Sequence, residues 1–177
     1  EIARELNDAN KRKAIERWQR EREKQNEEIK KKIDEINTEG NTDFNREDKN
    51  LTEKIRLWEE QKRICIYTGK TINCCDLLNG IKYDFEHSIP ASMSFDNELK
   101  NLTIADNYYN REIKKKRIPS ECPNYDKEYV HEGITYPPII DTMQILFDKM
   151  TETEKKIKGK LVRKRSFEKI EHLEKQV

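Results

Sequence analysis

DFEHSIPASMSFDNELKNLTIADNYYNREIKKKR, residues 84–117, contains one of only three histidines in a chain of 177 residues. IKYDFEH, ending at His87, reads as a strand and SIPASMSFDNELK as a loop. NLTIA reads as a second short strand, and DNYYNREIKKKR as a helix that stops before Pro119. Strand, loop, strand and helix in that order make a small α+β unit inside a chain whose remaining segments are mostly helical.

The chemistry of this stretch starts from His87. A neutral imidazole with an ordinary pKa of about 6.5 can take a proton from water near neutral pH, as a general base must. A carboxylate, Glu86, precedes it, and Asn110 lies on the helix that follows the second strand, so folding of the unit can return that helix to the first strand. A carboxylate oxygen and an amide carbonyl are hard ligands, suited to a magnesium ion that keeps several waters and takes its other ligands from phosphate. Together they describe a site for phosphodiester hydrolysis. Neighbouring strand residues point to opposite faces, so the reading requires the strand to break or bulge at Glu86–His87. Ser88-Ile89-Pro90 supplies a reason for pairing to end at His87. Asp84, two residues before Glu86, is the alternative ligand or a second carboxylate behind it.

Outward from this core the pattern is helical. Residues 1–39 lack glycine before position 40 and lack proline altogether, and Leu6, Ala9, Ala14, Ile15, Trp18, Ile29, Ile33 and Ile36 recur at mostly helical intervals. Between Trp18 and Ile29 the stretch QREREKQNEE is wholly polar, which predicts a solvated helix there. EGNTDFN is a loop by composition, and NREDKNLTEKIRLWEEQKR reads as a second helix with Leu51, Ile55 and Trp58 on one side. RICIYTGKTINCC has a β-favouring apolar run and a turn at Thr68-Gly69. Residues 119–140 read as irregular, IDTMQILFDKM as an apolar helix, and the basic tail from Lys155 as helical. The boundaries that follow are 1–63, 64–125 and 126–177.

Composition sets the limits. A third of the residues are apolar and 40% are charged, enough for one modest core carrying long solvated helices. The 36 basic and 35 acidic residues nearly cancel, so net charge alone makes no case for nucleic acid. No apolar run approaches the roughly 18 residues of a membrane span, and the amino end lacks a signal-peptide layout. The chain reads as soluble and cytoplasmic, with no membrane partner and with Cys65, Cys74, Cys75 and Cys122 as free thiols. Starting without methionine inside a helical pattern, it reads as a piece of a longer protein.

An acid before His87, a proline three residues after it, and Asn101 and Asn110 nine apart resemble the HNH nuclease motif on a ββα-metal fold. More narrowly, CIYTGKTI, YDFEHSIPASMSFDNELKNLTI and YYNREIKKKR resemble the HNH domain of the CRISPR type II effector, an RNA-guided DNA endonuclease, over about residues 64–125. The resemblance implies His87 as general base, Glu86 and Asn110 as ligands of magnesium or manganese, and Asn101 as a brace for the loop. It implies a prokaryotic setting and, as partners, the target DNA strand in a guide RNA–DNA heteroduplex, the guide RNA through the full-length protein, and a RuvC nuclease domain in the same chain. EIAREL, residues 1–6, resembles the segment in which a RuvC catalytic glutamate leads into the linker before HNH, which makes Glu1 a RuvC ligand.

Two departures from the family are visible. Cys65-Ile66-Tyr67-Thr68 stands where many HNH proteins have Cys-x-x-Cys, and no second such pair occurs, so structural zinc is not expected. Glu86 stands where aspartate is frequent. Arg111 and the cluster Lys114, Lys115, Lys116 and Arg117 are placed to meet backbone phosphates, or equally to form the solvated carboxyl end of a helix. Tyr108 and Tyr109 offer stacking surfaces, with at least one expected in the core, and His131 and His172 receive no role. Two rival readings remain: a free-standing HNH homing or restriction enzyme, and a non-catalytic charged helical scaffold.

Overall fold

The computed structural model describes residues 2–93 and 101–149. Glu1, part of the loop after Pro90, and the tail with its expected helix and His172 lie outside the described residues. The chain divides into two compact units between Glu53 and Lys54.

In the first unit, α1 (Ile2–Gly40) is one continuous helix of 39 residues, about 60 Å long at the usual rise. Residues 8–21 are exposed throughout. The solvated helix thus begins well before the polar stretch at 19–28, and Ala9, Ala14, Ile15 and Trp18, expected on the apolar stripe, face water. The helix is closed by a side-chain clamp. Asn37 donates from Nδ2 to the Phe44 carbonyl at 2.9 Å and accepts from Phe44 N–H at 2.8 Å. Asn41, at φ 47°, turns the chain. The second helix, α2 (Lys49–Glu60), is shorter than expected at both ends. Asn45–Asp48 form a turn, with Asp48 N–H donating to the Asn45 carbonyl at 3.0 Å, and the Asp48 carboxylate accepts from Asn50 N–H at 2.8 Å. At the other end Lys62 and Arg63 take φ of 50° and 64°, which ends the helix.

The second unit is α+β. The apolar run at 64–72 forms a turn closed by a single bridge, Ile64 to Thr71, instead of a strand. Gly69 takes φ +66° there, where a side chain would meet Pro137 Cγ at 2.7 Å. A short helix, α3 (Cys74–Leu78), follows, capped by Asn73. β1 (Tyr83–His87) then pairs antiparallel with β2 (Leu102–Asp106), from Tyr83↔Asp106 to His87↔Leu102. Among the described residues no third strand pairs with β2 at Ile104; the Gln61 amide pairs there instead, accepting from Ile104 N–H at 2.6 Å and donating to its carbonyl at 3.1 Å. A buried glutamine thus completes the backbone bonding of a sheet edge.

β2 leads into a helix whose last six residues, Tyr109–Lys114, are a π-helix. Beyond Pro119 the expected irregular stretch contains a hairpin, β3 (Tyr129–His131) with β4 (Ile134–Tyr136). Its turn places Glu132 and Gly133 at φ 48° and 76°, the paired positive values of a tight two-residue hairpin. The final described helix is α4 (Ile139–Asp148). The core joins Tyr67 stacked on Tyr109 at 5.3 Å, with Tyr136 edge-on to Tyr109 at 5.2 Å. Buried Asn124 ties three segments: it accepts from the Tyr109 hydroxyl and donates to the carbonyls of Tyr67 at 2.9 Å and Pro137 at 2.8 Å.

Candidate active site on the hairpin and π-helix

β1 carries Asp84, Glu86 and His87. The ladder is regular through His87↔Leu102, so the expected break or bulge at Glu86–His87 does not occur. The pairing even continues one bond further, from Ser88 N–H to the Asn101 carbonyl at 2.9 Å. The chain leaves the sheet only after that bond, and Asn101 holds it there. The Asn101 side chain accepts from Ile89 N–H at 2.8 Å and donates to the Ile89 carbonyl at 3.1 Å. A fully buried amide with both ends bonded to one loop residue fixes where the loop departs from His87.

Glu86 is buried, and both carboxylate oxygens have donors. Oε1 lies 2.5 Å from Lys114 Nζ, and Oε2 accepts from the Tyr67 hydroxyl at 2.8 Å. Burial raises the Glu86 pKa, against the pull of Lys114, Tyr67 and His87. Burial and the adjacent carboxylate together push the Tyr67 phenol well above its ordinary value, so it stays a donor. Asp84, by contrast, is exposed and accepts from the neighbouring Phe85 N–H at 2.8 Å. His87 is half-buried, and its backbone carbonyl accepts from Lys114 Nζ at 3.2 Å.

The π-helix supplies the opposite wall. Asp106, the last residue of β2, accepts from Tyr109 N–H at 2.9 Å and starts it. Its one-residue expansion is visible where Lys115 N–H bonds the Asn110 carbonyl, five residues back, at 2.8 Å. Lys115 then leaves the helix at φ 53°. Asn110 and Lys114 are four residues apart, a little under one turn of this wider helix, and so lie beside one another on its surface. Because Lys114 reaches Glu86 and the His87 carbonyl, the side that carries Asn110 is the one tied to β1.

The basic cluster does not act as one group. Arg111, Lys115, Lys116 and Arg117 are exposed, and the Arg117 guanidinium also donates to the Ile113 carbonyl. Lys114 differs from the expectation of a phosphate contact: it is buried, because the π-helix turns its stem inward and Glu86 satisfies its charge. Tyr109 is the core tyrosine, whereas Tyr108 is part-exposed and donates to Glu132 on the hairpin at 2.5 Å. Tyr67 was not among the expected site residues. In CIYTG it reads as part of an apolar run, and only the need of a buried acid for a second donor points to it.

A carboxylate and an amide carbonyl are donor types that a hard divalent ion takes. Glu86 and Asn110 offer oxygen, and the Lys114 ammonium shows that positive charge is accommodated at the Glu86 carboxylate. Among the described residues no group of three or more His, Cys, Asp or Glu side chains gathers. An ion held here would therefore draw its remaining ligands from water and phosphate.

Residues 65–120 match a family described as HNH endonuclease. The chain is 40% identical over 75 residues to CRISPR-associated endonuclease Cas9 1 of Streptococcus thermophilus, covering 42% of this chain and 7% of that protein. It is 35% identical over 69 residues to CRISPR-associated endonuclease Cas9 of Campylobacter jejuni, covering 39% and 7%. It thus spans less than a tenth of these relatives. Among solved structures, Streptococcus thermophilus Cas9 in complex with the AGAA PAM superposes with a TM-score of 0.55 at 25% identity, over 78% of this chain and 13% of that one. The Type II-C Cas9 enzyme of Actinomyces naeslundii shares the fold, with a TM-score of 0.57 at 16% identity over 93% and 14%.

Proposed function

We propose, from the premise that this chain carries the HNH nuclease domain of a CRISPR type II effector, that it hydrolyses the DNA strand paired with a guide RNA. His87 is the general base. It takes a proton from a water that attacks the scissile phosphorus in line, and the strand end that carries it is held by Lys114 and by the Asn101 clamp. Glu86 and Asn110 would hold magnesium or manganese, which when bound supplies charge stabilisation at a phosphate oxygen and at the leaving 3′ oxygen. Arg111, Lys115, Lys116 and Arg117 bind backbone phosphates, so affinity falls as salt rises and sequence is read by base pairing.

The observation that best supports this reading is the tie between β1 and the π-helix, which brings the Asn110 side of that helix to the strand carrying Glu86 and His87. The test uses a guide-loaded, full-length effector carrying this segment, comparing wild type with His87→Ala. Cleavage of the guide-paired strand should fall by about 10²–10⁴-fold, with the other strand still cut. Unchanged cutting of both strands would make His87 structural.

A further inference from the structure

We infer that Lys114 is a positioning residue that holds the place of the divalent ion at Glu86 and must give up that carboxylate when the ion binds. The inference rests on the metal-site reading of Glu86 and Asn110 above. Its basis is the accounting of charge in the pocket. The Lys114 ammonium is almost wholly buried, 2.5 Å from Glu86 Oε1 and 3.2 Å from the His87 carbonyl. The other Glu86 oxygen is taken by the Tyr67 hydroxyl, which donates and brings no negative charge. Asp84 is exposed and turned to the backbone, and among the described residues no group of three or more His, Cys, Asp or Glu side chains gathers to hold an ion.

One buried carboxylate thus faces one cation. A divalent ion bound to Glu86 beside a lysine at 2.5 Å would set two cations against a single anion in a poorly solvated pocket, where their repulsion is little screened. The ion and the ammonium therefore compete for Glu86. Before the ion arrives, Lys114 supplies the counter-charge to the buried carboxylate and, through the His87 carbonyl, keeps the end of β1 in place. A buried carboxylate left without its counter-ion is costly to the fold.

The experiment measures Mn²⁺ binding to the 177-residue chain from the electron paramagnetic resonance signal of free Mn²⁺. Unfolding midpoints are measured alongside, in EDTA and in saturating Mn²⁺. Lys114→Met should bind Mn²⁺ at least about tenfold more tightly than wild type. It should unfold at a lower temperature than wild type in EDTA, and Mn²⁺ should restore most of that loss by replacing the missing cation. Lys114→Arg, which keeps the charge, should retain wild-type affinity. Equal or weaker Mn²⁺ binding by Lys114→Met overturns the inference, as does a Lys114→Met chain that stays unfolded in saturating Mn²⁺. If wild type and Lys114→Met bind equally, only this inference falls; if neither binds, the metal-site reading falls with it.

Discussion

Two of the lysine–glutamate pairs among the described residues have nearly the same length and opposite physics. Lys30 and Glu47, in the first unit, meet at 2.8 Å with side chains 22% and 62% exposed. Lys114 and Glu86, in the second, meet at 2.5 Å with side chains 1% and 4% exposed. At the surface the hydrogen bond from Lys30 is the largest influence on Glu47, and it lowers the carboxyl pKa. In the interior the cost of removing the carboxylate from water outweighs the lysine, and the Glu86 pKa is raised. Distance alone therefore does not tell which pair matters: the exposed one is loosely coupled to stability, and the buried one is a commitment the fold cannot break on one side.

The sharpest way to break the comparison is to remove one partner from each pair. Lys114→Met in metal-free buffer should cost about 3–5 kcal/mol in urea unfolding, because Glu86 is left buried without its counter-ion. The double change Lys114→Met with Glu86→Leu should recover much of that loss, since the uncompensated charge is gone. A buried polar group without charge tests whether burial, and not charge alone, sets the scale. Asn124→Ala, which removes the bonds to Tyr67, Tyr109 and Pro137, should cost about 3 kcal/mol by the same measurement. Backbone geometry comes next. Gly69→Ala should lower stability by about 1–2 kcal/mol, through φ +66° and contact with Pro137, and a neutral result would mean that the 64–72 turn yields. Smallest of all, Lys30→Met should leave the unfolding midpoint within the scatter of replicates, and a clear fall would end the contrast between the pairs.

Much of the small α+β unit is legible in the sequence, because strand and helix periods and turn residues act over a few positions. β1, β2, the helix after Asp106 and its end before Pro119 follow from local pattern, as do α1 and its solvated stretch. The hairpin at 129–136 is not legible, since its strands are three residues each and rest on a turn of Glu132-Gly133 without a strong apolar alternation. The run at 64–72 has the composition of a strand yet lacks a partner beyond one bridge. Among site residues, His87, Glu86, Asn101 and Asn110 stand out by type and spacing. Tyr67 does not, because a tyrosine in an apolar run carries no sign of the acid it will serve 19 positions later.

The sequence by itself determined the order of the two long helices, β1, β2 and the helix after Asp106, the candidate base and ligands, and the resemblance to HNH nucleases, because each depends on residue types at short spacing. Only the tertiary structure decided that β1 stays regular through His87, that Gln61 completes the edge of β2, and that one lysine of a basic run turns inward while its neighbours face water. The reason is that Lys114, Lys115 and Lys116 are chemically alike along the chain. What separates them is the π-helical register and the buried carboxylate on a strand 28 residues away, and neither exists until the chain has folded.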